Sequence, residues 1–136
     1  MSVQEIMSSP VITVAAEHSI MEAGKLMKEN QIKHLAVLDP QGLLVGVVTD
    51  RDLKRASASD ATALEIHELL YLLQKIQVKK VMKSHPVTIS PQDTPQRAAT
   101  LMVEHGIGCL PVLKGEQLDG IVTKNDLLRL LANQAG

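Results

Sequence analysis

Apolar and polar residues follow each other along the chain in a pattern that recurs after 75 positions. In the first copy, a short β-rich run at residues 11–14 precedes apolar residues at three- and four-residue spacing, which predict an amphipathic helix. These residues are Ile20, Ala23, Leu26 and Met27. The apolar runs HLAVL and LLVGVV then flank the turn sequence DPQG, which predicts a β-hairpin. A closing helix is predicted to begin near Asp50.

The second half of the chain has the same order of elements. Its β-rich run PVTI at residues 86–89 leads into a second helical pattern, and the runs CLPVL and LDGIV flank the turn KGEQ before a helix near Lys124. Ser19 and Thr94 are suited to cap the first helix of each half, with Pro95 at a first helical position. Each half is therefore predicted to be a β-α-β-β-α unit, and the fold class to be α/β (α+β).

Self-comparison divides the chain into two repeats, residues 1–56 and 78–136, joined by a linker at 57–77. The small polar sequence ASASDATA at the start of the linker predicts a loop, and Thr62 and Glu65 have the spacing of a capping box at the start of a helix. That helix carries a wide apolar face formed by Leu69, Leu70, Leu72, Leu73 and Ile76. Two alternatives follow, because such a face can pack on its own domain or form a subunit interface.

One string of residues occurs in both halves, as GVVTDRDL at Gly46–Leu53 and as GIVTKNDL at Gly120–Leu127. It lies where a predicted strand meets a predicted helix. The glycine allows another segment to approach the backbone closely, or it bends the strand. The threonine and the aspartate three residues later match the spacing of a helix cap. The string therefore has a structural explanation in each half.

The same threonine and aspartate also fit a ligand-binding role. The start of a helix presents unpaired N–H groups that bind phosphate, and a threonine hydroxyl adds a further donor. A carboxylate accepts two hydrogen bonds at once, which suits the vicinal hydroxyls of a ribose. The apolar strands before the string would supply a slot for a flat base. Both the capping role and a ribose phosphate site remain open on the residues alone.

Composition excludes several classes of partner. With 136 residues, 45% apolar and 21% charged, the chain has the make-up of a globular protein. One Tyr, no Phe and no Trp, together with a net charge of −1, give neither a base-stacking platform nor a basic face, so we expect no nucleic acid partner. No run approaches the roughly 18 apolar residues of a membrane span, so we expect no membrane partner. The single cysteine, Cys109, cannot form an internal disulfide, which favours a cytoplasmic location.

Catalytic and metal chemistry find little support in the sequence. The five histidines have no H-x-x-x-H spacing, and Lys124 replaces Asp50 in the second half, so the Asp50 and Asp52 pair is not repeated. We therefore expect no metal site. Cys109 has no histidine and acid partners nearby in the sequence, and packing is its simpler role. The chain contains no nucleophile elbow, P-loop or paired catalytic acid, and we expect it not to be an enzyme.

The order of elements, the string G-h-h-T-x-x-D in both halves (h is apolar) and the LPV after Cys109 resemble the CBS domain. CBS domains occur as tandem pairs called Bateman modules, and the linker run ELLYLLQKIQVKKVM further resembles stand-alone CBS pairs of the acetoin-utilisation type. The resemblance implies two CBS repeats packed with pseudo-twofold symmetry, with adenosine-containing ligands (AMP, ADP, ATP or S-adenosylmethionine) in two clefts between them.

The resemblance also implies a function and an assembly. It implies a regulatory or sensor module that forms a homodimer and acts on an unidentified protein. Such a module requires no cofactor, and an adenine nucleotide serves as its regulatory ligand. The alternative is an interaction or dimerisation protein whose fold serves assembly alone, without a bound nucleotide.

Individual residues receive roles from the resemblance. The motif aspartates Asp52 and Asp126 would hold the ribose hydroxyls, and Thr49 and Thr123 would lie by the phosphate. The base would rest against the first strand and the hairpin strand of each half. The residues at those positions are Ile12, Thr13, His34, Leu35, Val87, Thr88, Cys109 and Leu110.

Charge distinguishes the two copies of the string. Between threonine and aspartate the first copy carries Asp50 and Arg51, which nearly cancel, whereas the second carries Lys124 and Asn125. Both pairs fall in the first turn of a helix, where Arg51 and Lys124 would lie close to phosphates. A net positive charge there favours an anionic ligand, so we expect the cleft at Thr123 and Asp126 to bind more tightly.

Overall fold

The computed structural model describes residues 1–61 and 65–134, and the side chains of residues 58–61 are not described. The first half contains β1 (Thr13–Ala15), α1 (Ile20–Asn30), β2 (His34–Leu38), β3 (Leu44–Thr49) and α2 (Asp50–Ala61). Then follow α3 (Ile66–Lys75), β4 (Lys83–Ser84), α4 (Pro95–His105), β5 (Cys109–Lys114), β6 (Gln117–Thr123) and α5 (Lys124–Asn133). Short 3₁₀ helices lie at Val3–Glu5 and Val78–Lys80. The predicted mixed α/β class is confirmed.

The chain forms two compact units that do not follow the order of the sequence. One unit comprises residues 12–85, and the other comprises residues 1–11 together with 86–136. Residues 1–11 thus pack with the second half of the chain, and the residues just before 86 pack with the first half. The compact units therefore differ from the predicted repeats, 1–56 and 78–136. The boundaries of the repeats remain a prediction.

The unit of residues 12–85 is built on a four-stranded sheet in the order β1-β2-β3-β4. β1 is parallel to β2, with Thr13 opposite Ala36, and β2 and β3 form the predicted hairpin, with His34 opposite Thr49. β4 pairs antiparallel with β3, so that Ser84 lies opposite Gly46. The segment before the second half of the sequence therefore completes the sheet of the first.

The other unit is built on the antiparallel hairpin of β5 and β6. Ser8 pairs with Ile121 of β6 by a single bridge, through main-chain hydrogen bonds of 2.9 and 3.1 Å. The strand predicted at residues 86–89 does not form. Only Ile89 pairs, by one parallel bridge to Val112 of β5. Residues 86–88 do not pair with a neighbouring strand, whereas the equivalent strand β1 pairs with β2 along its whole length.

Two aliphatic cores hold the units together. Leu35, Val37 and Val48 are wholly buried in the first core, as are Leu110 and Val122 in the second. Each such side chain contributes about 1.5–3 kcal/mol by its removal from water. The helical stripes read from the sequence face these cores, because Ile20, Ala23 and Met27 are buried on α1 and Ala98, Leu101 and Met102 on α4.

The repeated glycine stands where another segment passes close to the strand. A Cβ atom on Gly46 would lie 2.5 Å from Sδ of Met82 and 2.9 Å from the carbonyl oxygen of Lys83. A Cβ atom on Gly120 would run into Met7 and would lie 3.0 Å from the carbonyl oxygen of Ser8. The close approach expected from the sequence is therefore made by the segment that begins the opposite repeat, and a side chain on either glycine would force that segment away.

The predicted helix starts of α1 and α4 are confirmed. Ser19 Oγ accepts a hydrogen bond from the N–H of Glu22 at 3.2 Å, and Glu22 in turn reaches back to the N–H of Ser19. Thr94 Oγ1 accepts from the N–H of Arg97 at 3.1 Å, with Pro95 in the first turn. These side chains satisfy donors that the helix itself leaves unpaired.

The linker differs from its prediction in one respect. Residues 56–61 continue α2 and do not form a loop, since alanine is the best helix former and three of these six residues are alanine. The predicted cap Thr62 lies outside the described residues. α3 begins after Glu65, whose side chain makes no capping hydrogen bond.

The apolar face of α3 divides between two surroundings. Leu73 and Ile76 pack against the core of their own unit, as the first alternative requires. Ile66, Leu70 and Tyr71 remain 74%, 46% and 59% exposed. The exposed part keeps the subunit interface as a prediction.

Candidate functional site

Thr49 and Asp52 form a reciprocal cap where β3 meets α2. The N–H of Thr49 donates to Oδ2 of Asp52 at 2.9 Å, and the N–H of Asp52 donates to Oγ1 of Thr49 at 3.2 Å. Asp52 is only 5% exposed. A buried carboxylate that accepts main-chain hydrogen bonds is held in one position, which is what a binding group requires.

Thr123 and Asp126 repeat this arrangement where β6 meets α5. The N–H of Thr123 donates to Oδ2 of Asp126 at 2.7 Å, and its hydroxyl donates to the same oxygen at 3.1 Å. The N–H of Asp126 donates to Oγ1 of Thr123 at 3.4 Å, and Asp126 is buried. The capping role is therefore confirmed in both copies of the string.

The caps leave one oxygen of each aspartate, Oδ1, for another partner. Arg129 Nη2 donates to Oδ1 of Asp126 at 2.6 Å, whereas Arg55 Nη1 lies 4.0 Å from Oδ1 of Asp52. Sequence reasoning missed both arginines. The signal was present, because the repeated string extends to T-x-x-D-L-x-R in each half.

The first turn of each helix also retains a donor. The N–H of Asp50 donates to the carbonyl oxygen of Lys33, and that of Lys124 to the carbonyl oxygen of Gly108, both at 3.0 Å. With the third amide engaged by the threonine, these bonds leave the second amide of each helix, that of Arg51 and that of Asn125. An anion at the start of the helix would meet this N–H group.

A pocket of about 220 Å³ opens beside Asp52 and is lined by Asp52, Arg55, Ala56 and Val81. Its volume lies below the ~300–1,000 Å³ of ordinary small-molecule sites. It is therefore smaller than a cavity that encloses a whole small-molecule ligand.

The predicted hairpin residues stand next to the motif threonines. His34 lies directly opposite Thr49 on the neighbouring strand, and Cys109 lies opposite Thr123. Burial lowers the pKa of His34 below its ordinary value of 6.5, although Asp50 and Asp52 act to raise it and Lys33 acts to lower it. His34 is therefore held neutral near pH 7.

The other predicted base contacts are placed less directly. Leu35 and Leu110 are fully buried in the cores, so that only their main chains are left to meet a ligand. Ile12 and Val87 pack against the same cores. Thr13 and Thr88 are half-buried.

The charged residues predicted near the phosphate, Arg51 and Lys124, are exposed in the first turns of their helices. Asp50 does not simply cancel Arg51, because its Oδ2 pairs with Nζ of Lys54 at 3.3 Å one turn further along α2. Both cations therefore stand at a helix start whose dipole already favours an anion.

Two further features concern the described parts of the chain. Among the side chains that the structure describes, those of residues 1–57 and 65–134, no group of three or more His, Cys, Asp or Glu is placed to hold a metal ion. In the same ranges, no helix combines the length and the apolar character needed to cross a membrane.

Comparison with known proteins identifies the family. The family model of the CBS domain matches residues 3–59 and again residues 78–133. This chain belongs to the CBS domain family. As a CBS pair it is 38% identical over 130 residues to a CBS domain-containing protein of Dictyostelium discoideum, an alignment that covers 95% of this chain and 90% of the other. The predicted membership is confirmed.

Solved structures of CBS pairs have the same fold. The CBS domain pair of protein MJ0100, in complex with 5′-methylthioadenosine and S-adenosyl-L-methionine, superposes with a TM-score of 0.85 at 29% identity, covering 99% of this chain and 98% of that one. A protein from Vibrio cholerae assigned to acetoin utilization (AcuB) gives 0.79 at 28% identity, with coverages of 98% and 91%. CBSX2 in complex with AMP gives 0.77 at 26% identity, covering 96% of each chain.

Several other relatives are longer proteins, some of them named as enzymes, and this CBS pair spans only 21–32% of their length. The shared part in these proteins is thus the CBS pair alone.

Proposed function

We propose that this CBS pair is a regulatory module that binds an adenosine-containing ligand at the repeated T-x-x-D junctions. The observation that carries the proposal is the same in both units. A buried aspartate is fixed through Oδ2 at the start of a helix, beside a threonine, while Oδ1 is turned to other partners. Neighbouring CBS pairs are solved with 5′-methylthioadenosine, S-adenosylmethionine and AMP.

The chemistry of the junction matches such a ligand. The hydroxyls of a ribose are donors, and the acceptor oxygen Oδ1 of Asp52 or Asp126 would receive them. A phosphate would meet the second amide of the helix and the side chain of Arg51 or Lys124. The base would then lie towards His34 in one unit and Cys109 in the other. The proposed module acts in the cytoplasm as a homodimer and passes the signal to another protein.

A second candidate function rests on the caps themselves. Because each Thr–Asp pair is accounted for as a reciprocal helix cap, the motif would persist in an assembly protein that has no ligand. Ligand binding by the wild-type chain separates these two functions, and a substitution that preserves the cap while impairing the ribose contact then tests the role of the aspartate.

Asparagine at position 52 or 126 is such a substitution. Its amide oxygen still accepts the N–H of Thr49 or Thr123, but its NH2 group then stands in place of Oδ1 and presents a donor where a ribose hydroxyl needs an acceptor. Calorimetry with AMP, S-adenosylmethionine and 5′-methylthioadenosine should show binding by the wild-type chain, weaker binding by Asp52→Asn and Asp126→Asn, and little binding of GMP. No heat with any adenosine ligand at millimolar concentration would support the assembly protein instead.

A matched control is available within the same chain. Ser19 and Glu22 form a capping box at α1 with the same hydrogen bonds, away from the repeated string. Glu22→Gln should lower the unfolding midpoint by less than the asparagine variants, because the Glu22 side chain is 57% exposed, and it should leave affinity unchanged. An equal loss of affinity in Glu22→Gln would mean that the variants act through stability.

A further inference from the structure

The two copies of the T-x-x-D-L-x-R string differ in how the arginine meets the aspartate. Arg129 closes on Oδ1 of Asp126 at 2.6 Å, at the short end for a charge-assisted hydrogen bond. Arg55 stays 4.0 Å from Oδ1 of Asp52. Both arginines are largely exposed, with side chains 67% and 70% accessible, whereas both carboxylates are buried.

In the second copy, hydrogen bonds already occupy most of the acceptor capacity of the Asp126 carboxylate, which is about four lone-pair sites. Oδ2 of Asp126 already accepts both the N–H and the hydroxyl of Thr123, and Oδ1 accepts the guanidinium. The two vicinal hydroxyls of a ribose would need both lone pairs of Oδ1, so both can bind this carboxylate only if Arg129 withdraws. In the first copy, Asp52 and Arg55 instead line the walls of the pocket of about 220 Å³. Nη1 of Arg55 lies 4.0 Å from Oδ1 of Asp52, which is beyond hydrogen-bond distance.

We propose that Arg129 is an affinity-setting residue, which competes with the ligand's ribose for Asp126 and makes the Asp126 site the weaker of the two. Ligand therefore fills the Asp52 site first. This inference rests on the proposed function, and it reverses the order expected from the charges of Lys124 and Arg51 alone. Lys124 and Arg129 are both exposed and screened by salt, so direct contact sets the order, and it is Arg129 that contacts Oδ1 of Asp126.

The competition is measured one site at a time. In the Asp52→Asn background calorimetry reports the Asp126 site, and in the Asp126→Asn background it reports the Asp52 site. The probe is 5′-methylthioadenosine, which is uncharged, so that removal of a cation does not itself repel or attract the ligand. Methionine replaces arginine because it keeps an unbranched apolar stem without the donors.

Arg129→Met should tighten binding at the Asp126 site about 3- to 10-fold, as expected when a charge-assisted hydrogen bond with one exposed partner no longer has to be broken. Arg55→Met should change the Asp52 site by less than this. Arg97→Met, which removes the same charge from the exposed first turn of α4, controls for net charge. Arg129→Lys, which keeps the charge and loses the planar fork, should fall between Arg129→Met and the parent.

An unchanged or weaker affinity in Arg129→Met, while the Asp126→Asn substitution still weakens binding at that site, would overturn this inference and leave the proposed function standing. Failure of the wild-type chain to bind 5′-methylthioadenosine or AMP at all would overturn both. Unfolding midpoints recorded for each variant separate a loss of folding from a loss of affinity.

Discussion

Substitution of Gly46 and Gly120 directly tests the close approach of the neighbouring segments to strands β3 and β6. In Gly46→Ala the new methyl group would lie 2.5 Å from Sδ of Met82 and 2.9 Å from the carbonyl oxygen of Lys83. The thioether can rotate away, but the carbonyl can move only if β4 separates from β3. Such overpacking costs about 1–3 kcal/mol, so the free energy of unfolding should fall by that amount. Gly120→Ala should behave alike, because it meets Met7 and the carbonyl oxygen of Ser8.

Gly24→Ala is the matched control for this prediction. Gly24 lies within α1, and the nearest atom to its added Cβ, Cδ1 of Leu53, is 3.8 Å away. Alanine there should raise stability by about 0.5–1 kcal/mol, since it restricts the unfolded chain and fits the helix. Urea unfolding followed by circular dichroism measures all three variants. Stability of Gly46→Ala equal to that of wild type would refute the close passage of β4.

Three further predictions concern assembly, pH and ligand linkage. Light scattering should give a mass near twice 14.8 kDa, and Leu70→Glu on the exposed face of α3 should halve it; a monomeric wild type at tens of micromolar removes the interface. Burial lowers the pKa of His34 in the folded chain below 6.5, so the unfolded chain binds more protons as the pH falls through 6.5 and the folded state loses stability. His34→Gln should reduce the difference between the urea midpoints at pH 7.5 and 5.5. An unchanged difference would contradict this prediction. A ligand at 100 times its Kd should add about 2.7 kcal/mol per site, seen as a higher melting temperature with AMP, and no increase counts against binding.

Local patterns in the sequence predicted most of the elements. The helix starts followed from residues whose side chains satisfy unpaired amides, Ser19 and Thr94, and the hairpins followed from turn residues between β-rich runs. The repeated glycine also indicated a close approach by another segment. These features depend on neighbours within a few residues, which is why the sequence alone suffices for them.

The remaining features depend on contacts between distant parts of the chain. The pairing of Ser8 with Ile121 and of β4 with β3 leaves no local signal that names the partner. Residues 56–61 were predicted as a loop from their small polar character, yet the helix of Asp50 continues through them. Arg129 carried a readable signal, its repetition at Arg55, but its contact with Asp126 depends on a rotamer that no pattern specifies.

Calorimetry with AMP and 2′-deoxy-AMP tests most directly whether the motif carboxylates receive the ribose hydroxyls, as proposed. A hydrogen bond to a charged group contributes about 1.5–3 kcal/mol, so wild type should bind AMP about 10- to 100-fold more tightly than the deoxy analogue. In Asp52→Asn/Asp126→Asn this preference should shrink to a few-fold. An identical preference in the double variant would show that the ribose is held elsewhere and would contradict the account.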